Sequence, residues 1–184
     1  MEVSPGCTTG PYFPVDFSDG SEDLAHRNGL TAQGEHIFLT GRVLEKGGTP
    51  TRNMVIEIWQ PDANGIFRHP LDPRTAQADP GFWNWGRART NKDGWYRFHT
   101  IRPGTYEGRV PHINVQVLGI GLTRRLVTTV FFGTGADPVL DTVPAARREM
   151  LIPRLDLTLG AEGIGAFRWD VVLNGENETP FFLD

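Results

Sequence analysis

Five histidines and one cysteine are the soft ligands and proton carriers this chain offers: His26, His36, His69, His99, His112 and Cys7. Only His112 heads an apolar, strand-like run, with Pro111 before it and Asn114 two residues on. The two-residue repeat of a strand puts His112, Asn114 and Gln116 on one face, the spacing at which a strand offers two side chains to one metal ion. Zinc or iron asks for at least three protein ligands, so a histidine beside an amide reads, on its own, as a hydrogen-bonded structural residue. The common enzyme signatures are absent from the sequence: no Gly-Lys-Ser/Thr phosphate loop, no Gly-x-Ser-x-Gly nucleophile elbow, no Cys-x-x-Cys and no His-Glu-x-x-His.

The elements that would position these residues are short strands. A chain of 184 residues fits one domain. Its hydrophobic share of 39%, with five Trp and eleven Phe, supplies a dense core and excludes a disordered chain. The 22 Gly and 14 Pro favour many turns over long helices. Apolar residues recur at every second position in 36–43, 54–59, 95–101, 113–118 and 125–132, each bounded by turn-formers such as Lys46-Gly47-Gly48 and Asp62-Ala63-Asn64-Gly65. The first two runs read as a hairpin, and a last hairpin is expected from 155–159 to 167–173. One short helix is expected over 144–152, capped by Thr142 and stopped by Pro153. Residues 1–34, rich in Gly, Pro, Asp and Ser, read as an extended N-terminal arm lying on its own domain or packing on a partner subunit, and 35–184 as the domain. The fold class that follows is all-β: an antiparallel β-sandwich with an extended arm and one short helix.

Charge and composition narrow the partners. With 18 Lys+Arg against 22 Asp+Glu, the net charge is −4, which lacks the basic footprint of general nucleic-acid binding. No apolar run approaches the roughly 20 residues that span a bilayer, so no membrane partner is expected. Cys7 alone cannot close an intrachain disulfide, and no export signal opens the sequence, so a cytoplasmic protein is expected. Trp59, Trp169, Phe98 and Phe131 read as core or subunit interface. Trp83 and Trp85, beside a turn, read as an interface surface.

Six ordered blocks carry a resemblance: Gly41-Arg42-Val43, Glu57-Ile58-Trp59-Gln60, Asp62-Ala63-Asn64-Gly65, the run 97–104, Pro111-His112-Ile113-Asn114 and Phe167-Arg168-Trp169-Asp170. In that order they resemble the intradiol ring-cleaving dioxygenases, and among them the protocatechuate 3,4-dioxygenases, over nearly the whole chain. The resemblance implies a sandwich of the transthyretin (prealbumin-like) type. It also implies a ferric iron held by two tyrosines and two histidines, which binds 3,4-dihydroxybenzoate for ring cleavage by O2 to 3-carboxymuconate. Enzymes of this group pair an alpha chain with an iron-bearing beta chain. The segment Thr8-Thr9-Gly10-Pro11-Tyr12-Phe13 and the stretch 34–37 resemble alpha chains more than beta chains.

Carried over by motif, Tyr106 matches one tyrosine ligand and His112 the first histidine. Asn114 stands in place of the second histidine and Arg74 in place of the other tyrosine, so two of four ligands are gone. Arg109 keeps the place of an active-site arginine, and Thr129 stands where a glutamine would be. The resemblance therefore implies a chain with no catalytic residue and no metal of its own: a vestigial site at Arg74, Tyr106, Arg109, His112, Asn114 and Thr129. The Fe(III) cofactor would belong to a protocatechuate 3,4-dioxygenase beta subunit in a hetero-oligomer of alpha/beta pairs, with a small aromatic acid and O2 as substrates. Thr8, Gly10, Pro11 and Tyr12 of the arm would face the partner's substrate, while Arg124 is the basic candidate chosen on a loop where Ile120 is apolar. Two rivals stay open: a homomeric ferric dioxygenase acting on another catechol, and a non-catalytic binding module.

Overall fold

The structure, a computed structural model, describes residues 20–182. Short strands dominate the described residues: β1 (His26–Arg27), β2 (Leu30–Thr31), β3 (His36–Leu44), β4 (Met54–Trp59), β5 (Trp85–Arg89), β6 (Trp95–Ile101), β7 (His112–Gly119), β8 (Leu126–Phe131), β9 (Arg154–Leu155), β10 (Gly165–Arg168) and β11 (Val171–Val172). β1 and β2 pair with each other, and the other nine form two facing sheets. One runs β11-β3-β10-β9 with β6 also on β3, and the other runs β5-β4-β7-β8.

The alternation read from the sequence is what closes the sandwich. Ile37, Leu39 and Val43 of β3, with Tyr96 and Phe98 of β6, point inward against Met54, Ile56 and Ile58 of β4 and Ile113, Val115 and Val117 of β7. Every one of these is at most 2% exposed, so the core is continuous across both sheets. Phe98, Phe131 and Trp169 are core, as expected. Gly41 has a specific reason to be glycine: a Cβ there would collide with the Trp169 carbonyl. That carbonyl also accepts the Tyr96 hydroxyl at 2.6 Å, which ties β6 to the strand pair that ends the chain.

Four expectations need correction. The runs at 36–44 and 54–59 are not a hairpin; β3 and β4 belong to different sheets and are joined by a crossing loop. The sandwich is not wholly antiparallel, because β10 and β11 both pair parallel to β3. Leu157–Leu159, read as strand, is a 3-10 turn, and only Leu155 and Arg154 pair with β10. The short helix is 3-10 over Ala145–Leu151 and has no side-chain cap; Thr142 belongs to a preceding turn, where its hydroxyl donates to the Val139 carbonyl. Strand β5 starts inside what read as an exposed tryptophan turn, and Trp83 and Trp85 remain exposed, each under an arginine (Arg27 and Arg87).

The stretch 20–34, read as part of an arm on its own domain or on a partner, lies on this chain's own sheets. Leu24 and Ala25 are fully buried, and Leu24 N donates to the His99 carbonyl while Trp83 N donates to that of Leu24. The packing therefore draws no boundary at residue 34. No helix among the described residues is long and apolar enough to cross a membrane.

Candidate functional site

Strand register gathers one end of the second sheet into a site. Trp59, the last residue of β4, pairs with Asn114 of β7, and Asn114 pairs in turn with Thr129 of β8. The three side chains therefore form a row across neighbouring strands. The Thr129 hydroxyl donates to Asn114 Oδ1 at 3.3 Å. One pleat along, His112 lies opposite Phe131 and is 1% exposed, packed against that ring.

Tyr106 arrives from the loop between β6 and β7, and a carboxylate holds that loop. Buried Asp62 accepts the backbone N–H groups of Asn64 and Ile66 on Oδ1 and of Asp79 on Oδ2. The turn it organises has Gly65 at φ +72, where a Cβ would strike the Thr105 carbonyl, and Gly104 N donates to the Asp62 carbonyl. The loop that carries Tyr106 thus rests directly on the Asp62 turn. Asp79 extends the network by accepting Gln33 N at 2.6 Å and Gly81 N at 2.8 Å.

Hydrogen-bond logic assigns the protons. The carbonyl of Val110 can only accept, so His112 Nδ1, 2.6 Å away, donates to it. His112 Nε2 is then the acceptor in a neutral ring, and the Tyr106 hydroxyl, at 2.9 Å, donates to it. Burial supports this state from both sides: it pushes the Tyr106 phenol up from its ordinary value and the His112 imidazole down. Lesser influences on the phenol include a hydrogen bond from Asn114, which favours ionisation without reversing the shift. A neutral phenol and a neutral imidazole therefore satisfy each other.

Beside the pair opens a cavity of about 630 Å³, lined among others by Trp59, Phe67, His69, Arg74, Tyr106 and Glu107. Trp59 and Phe67 stack at 5.3 Å, and Phe67 meets Tyr106 edge-on at 5.0 Å, so one side is aromatic. Arg74 supplies the cation on the other side. It donates to the Gly65 carbonyl at 2.7 Å and lies against Asp72, whose carboxyl is held below its ordinary value chiefly by the backbone N–H groups of Phe67 and Arg74.

Arg109 is engaged by Asp137, and its charge still acts on both groups of the pair. Its Nε donates to Asp137 Oδ2 at 2.6 Å, and buried Asp137 also accepts Val110 N, Val139 N and Leu140 N. Burial alone would raise the Asp137 pKa, but the Arg109 hydrogen bond and the Leu140 and Val139 amides outweigh it and leave it lowered. A lowered folded-state pKa contributes stability that is present above the unfolded carboxylate range and is lost as pH falls through the folded value. Asp137→Asn is therefore expected to lower the urea midpoint at neutral pH and to flatten its decline between about pH 5 and pH 2. An unchanged acid slope would show that other carboxylates carry it.

Of the positions singled out in the sequence, Tyr106, His112, Asn114 and Thr129 meet, and Arg74 lines the same cavity as Tyr106. Arg109 is drawn to Asp137. Arg124 does not join them: it is exposed in the turn after β7, at the end of that strand opposite to His112. Thr8, Gly10, Pro11 and Tyr12 lie outside the described residues. Sequence reasoning missed Asp62 as the organiser of the site loop and Asp137 as the Arg109 partner. Asp62 had a signal, since it opens an Asp-x-x-Gly turn, whereas Asp137 had none.

The donor set does not fit a ferric ion. Tyr106 and His112 spend their proton and lone pair on each other, Asn114 offers only a neutral amide, and the Arg74 guanidinium on the cavity wall repels a cation.

The dioxygenase family matches residues 8–175 of the chain. The chain belongs to the intradiol dioxygenase family. Within this iron-dependent family of ring-cleaving dioxygenases, it is 40% identical over 191 residues to the protocatechuate 3,4-dioxygenase beta chain of Burkholderia cepacia, covering 92% of this chain and 80% of that one. It is 32% identical over 197 residues to the alpha chain from the same organism, covering 99% and 98%. Identity is thus higher with the beta chain and coverage fuller with the alpha chain. Among solved intradiol-type folds, the dioxygenase domain of a carbohydrate-binding fusion from Streptomyces sp. SirexAA-E superposes with a TM-score of 0.62 at 25% identity, covering 94% of this chain and 99% of that one. The 3-chlorocatechol 1,2-dioxygenase of Rhodococcus opacus 1CP gives 0.62 at 20% identity, covering 92% and 72%, a likeness of fold.

Proposed function

We propose that this chain is the iron-free, alpha-type subunit of a two-chain protocatechuate 3,4-dioxygenase. Its partner is a beta subunit of like fold that holds the Fe(III), and the pair cleaves 3,4-dihydroxybenzoate between its hydroxylated carbons with O2. The observation that carries this reading is the closed Tyr106–His112 pair with Asn114 and Arg74 at the other two positions. The phenol and imidazole that could serve a metal bond to each other, and Arg74 bonds the Gly65 carbonyl and Asp72. The near-complete coverage shared with an alpha chain supports the same reading.

In this proposal the chain contributes binding rather than redox chemistry. The arm residues Thr8, Gly10, Pro11 and Tyr12 line the pocket of the partner, where backbone groups beside a glycine and one phenol orient an aromatic acid. Arg124, exposed in a turn, would meet a substrate carboxylate only in a partner's pocket. The protein works in the cytoplasm as a hetero-oligomer of alpha/beta pairs.

The test is to purify the full chain alone and after co-expression with a chain that carries the family's His-x-His ligands. Iron content, visible tyrosinate-to-iron absorption and protocatechuate-dependent O2 uptake are then measured on each. The expected result is a colourless, inactive lone chain and a coloured, active complex. The 40% identity with a beta chain favours a second reading, in which this chain binds its own iron. A coloured, active lone chain would establish that second reading in place of the first.

A further inference from the structure

Where the N-terminal segment crosses β6, at the partly buried residue His99, three imidazoles and a carboxylate converge. His26 Nδ1 lies 2.8 Å from Asp23 Oδ2, His99 Nδ1 lies 3.5 Å from Asp23 Oδ1, and His36 Nδ1 lies 3.1 Å from His99 Nε2. The His26, His36 and His99 ring centroids are 5.2 to 6.3 Å apart. Nothing in ring cleavage uses this cluster. Asp23 and His26 come from the N-terminal segment, while His99 comes from β6.

The proton inventory leaves one position incomplete. The Ala32 carbonyl accepts from His36 Nε2 at 2.9 Å, so the other nitrogen of a neutral His36 must accept. His99 Nε2 is therefore the donor in the His36–His99 bond, and a neutral His99 is left with a bare lone pair on Nδ1. That lone pair faces the Asp23 carboxylate, with no hydrogen between two electron-rich atoms. Burial of His99 favours its neutral form, against the pull of Asp23. A cation seated between the two would complete the arrangement, and protonation is the competing way to do so.

We propose that Asp23, His26 and His99 form a binding site for a divalent transition ion of the zinc class, with His36 as the positioning residue that fixes the His99 tautomer. One ligand atom from each of the three residues lies within 4.8 Å of the other two. Bond lengths of about 2.0–2.2 Å for nitrogen and carboxylate ligands require a closer approach than that. Half-exposed His26 can supply it by turning its ring, since its side chain is 51% exposed while that of His99 is 17% exposed. Two imidazoles and one carboxylate suit zinc, copper or nickel and disfavour magnesium, which prefers an all-oxygen shell. Water would fill the open side. Such an ion would clamp the segment that carries Leu24 and Ala25 onto β6, independently of the role proposed for the Tyr106 cavity.

The test uses the full chain stripped with a chelator and titrated with Zn2+, with Mg2+ as the contrasting ion, and with Cu2+ as a spectroscopic probe. Saturable Zn2+ binding at one ion per chain is expected, with a rise in Tm that Mg2+ does not produce. The Cu2+ form is expected to show paramagnetic splitting from two nitrogens. His26→Ala, at an exposed position, should weaken Zn2+ by at least about tenfold and reduce the splitting to one nitrogen. His36→Gln should weaken Zn2+ by roughly 10- to 100-fold with the two-nitrogen pattern retained. Absence of saturable Zn2+ binding in the parent chain, or equal affinity in His26→Ala, would overturn the proposal.

Discussion

The double variant Arg74→Tyr/Asn114→His is expected to take up ferric iron close to one ion per chain and to turn visibly coloured, whereas the parent chain binds little. The Tyr106 hydroxyl and His112 Nε2, 2.9 Å apart, already offer two ligand groups, and Tyr106 lines the same cavity as Arg74. A histidine at 114 stands one two-residue step from His112 and so shares its face. Replacing Arg74 removes a cation from the cavity wall and supplies a second phenolate. Four-ligand metal sites in small domains are worth about 10–16 kcal/mol, or about 3 kcal/mol per ligand, so restoring two ligands should raise affinity by roughly 10⁴-fold. Asn114→His alone should stay nearly colourless, because the guanidinium remains. Iron analysis and the visible spectrum decide it. A folded double variant without colour would show that Arg74 does not occupy a ligand position.

Asp62→Ala is expected to be the most damaging single substitution in the site loop, lowering stability by about 4 kcal/mol. Asp62 is 1% exposed and accepts from Asn64, Ile66 and Asp79, so its loss strands two buried backbone donors, those of Ile66 and Asp79, and releases that of Asn64 at a more open turn. A typical domain has only about 5–15 kcal/mol in hand. Asp62→Asn should fall between the two: its oxygen can keep the bonds to Asn64 and Ile66, but its amide group meets the Asp79 N–H donor to donor. Urea unfolding gives the stabilities, and fluorescence near Trp59 reports the cavity. A loss under about 1 kcal/mol for Asp62→Ala would mean that water or a rearranged turn replaces the carboxylate.

The chemistry of the site was largely legible in the residues. The resemblance set Asn114 and Arg74 at two ligand positions, and an amide and a guanidinium are poor ligands for iron by side-chain type alone. The strands of the core were legible too. Met54, Ile56 and Ile58, or Ile113, Val115 and Val117, bury one face of a sheet, and a period of two announces that locally. The 3-10 turns were not, since Leu157 and Leu159 keep the same period in a short turn that forms no ladder.

Other features had no local signal because they depend on which distant backbone lies alongside. The parallel seat of β10 against β3 pairs Phe167 with Leu39, a choice made by the strand edge left free and not by the pattern of either strand. The bond from Asp137 to Arg109, the closure of Tyr106 on His112 and the meeting of His26, His36 and His99 are likewise products of packing. By itself the sequence determined the alternating strands and the sandwich class, properties of residue type and spacing. The tertiary structure alone decided the buried phenol–imidazole pair and the Asp62 turn that holds its loop, because hydrogen bonds between distant segments form only after the core has brought them within reach.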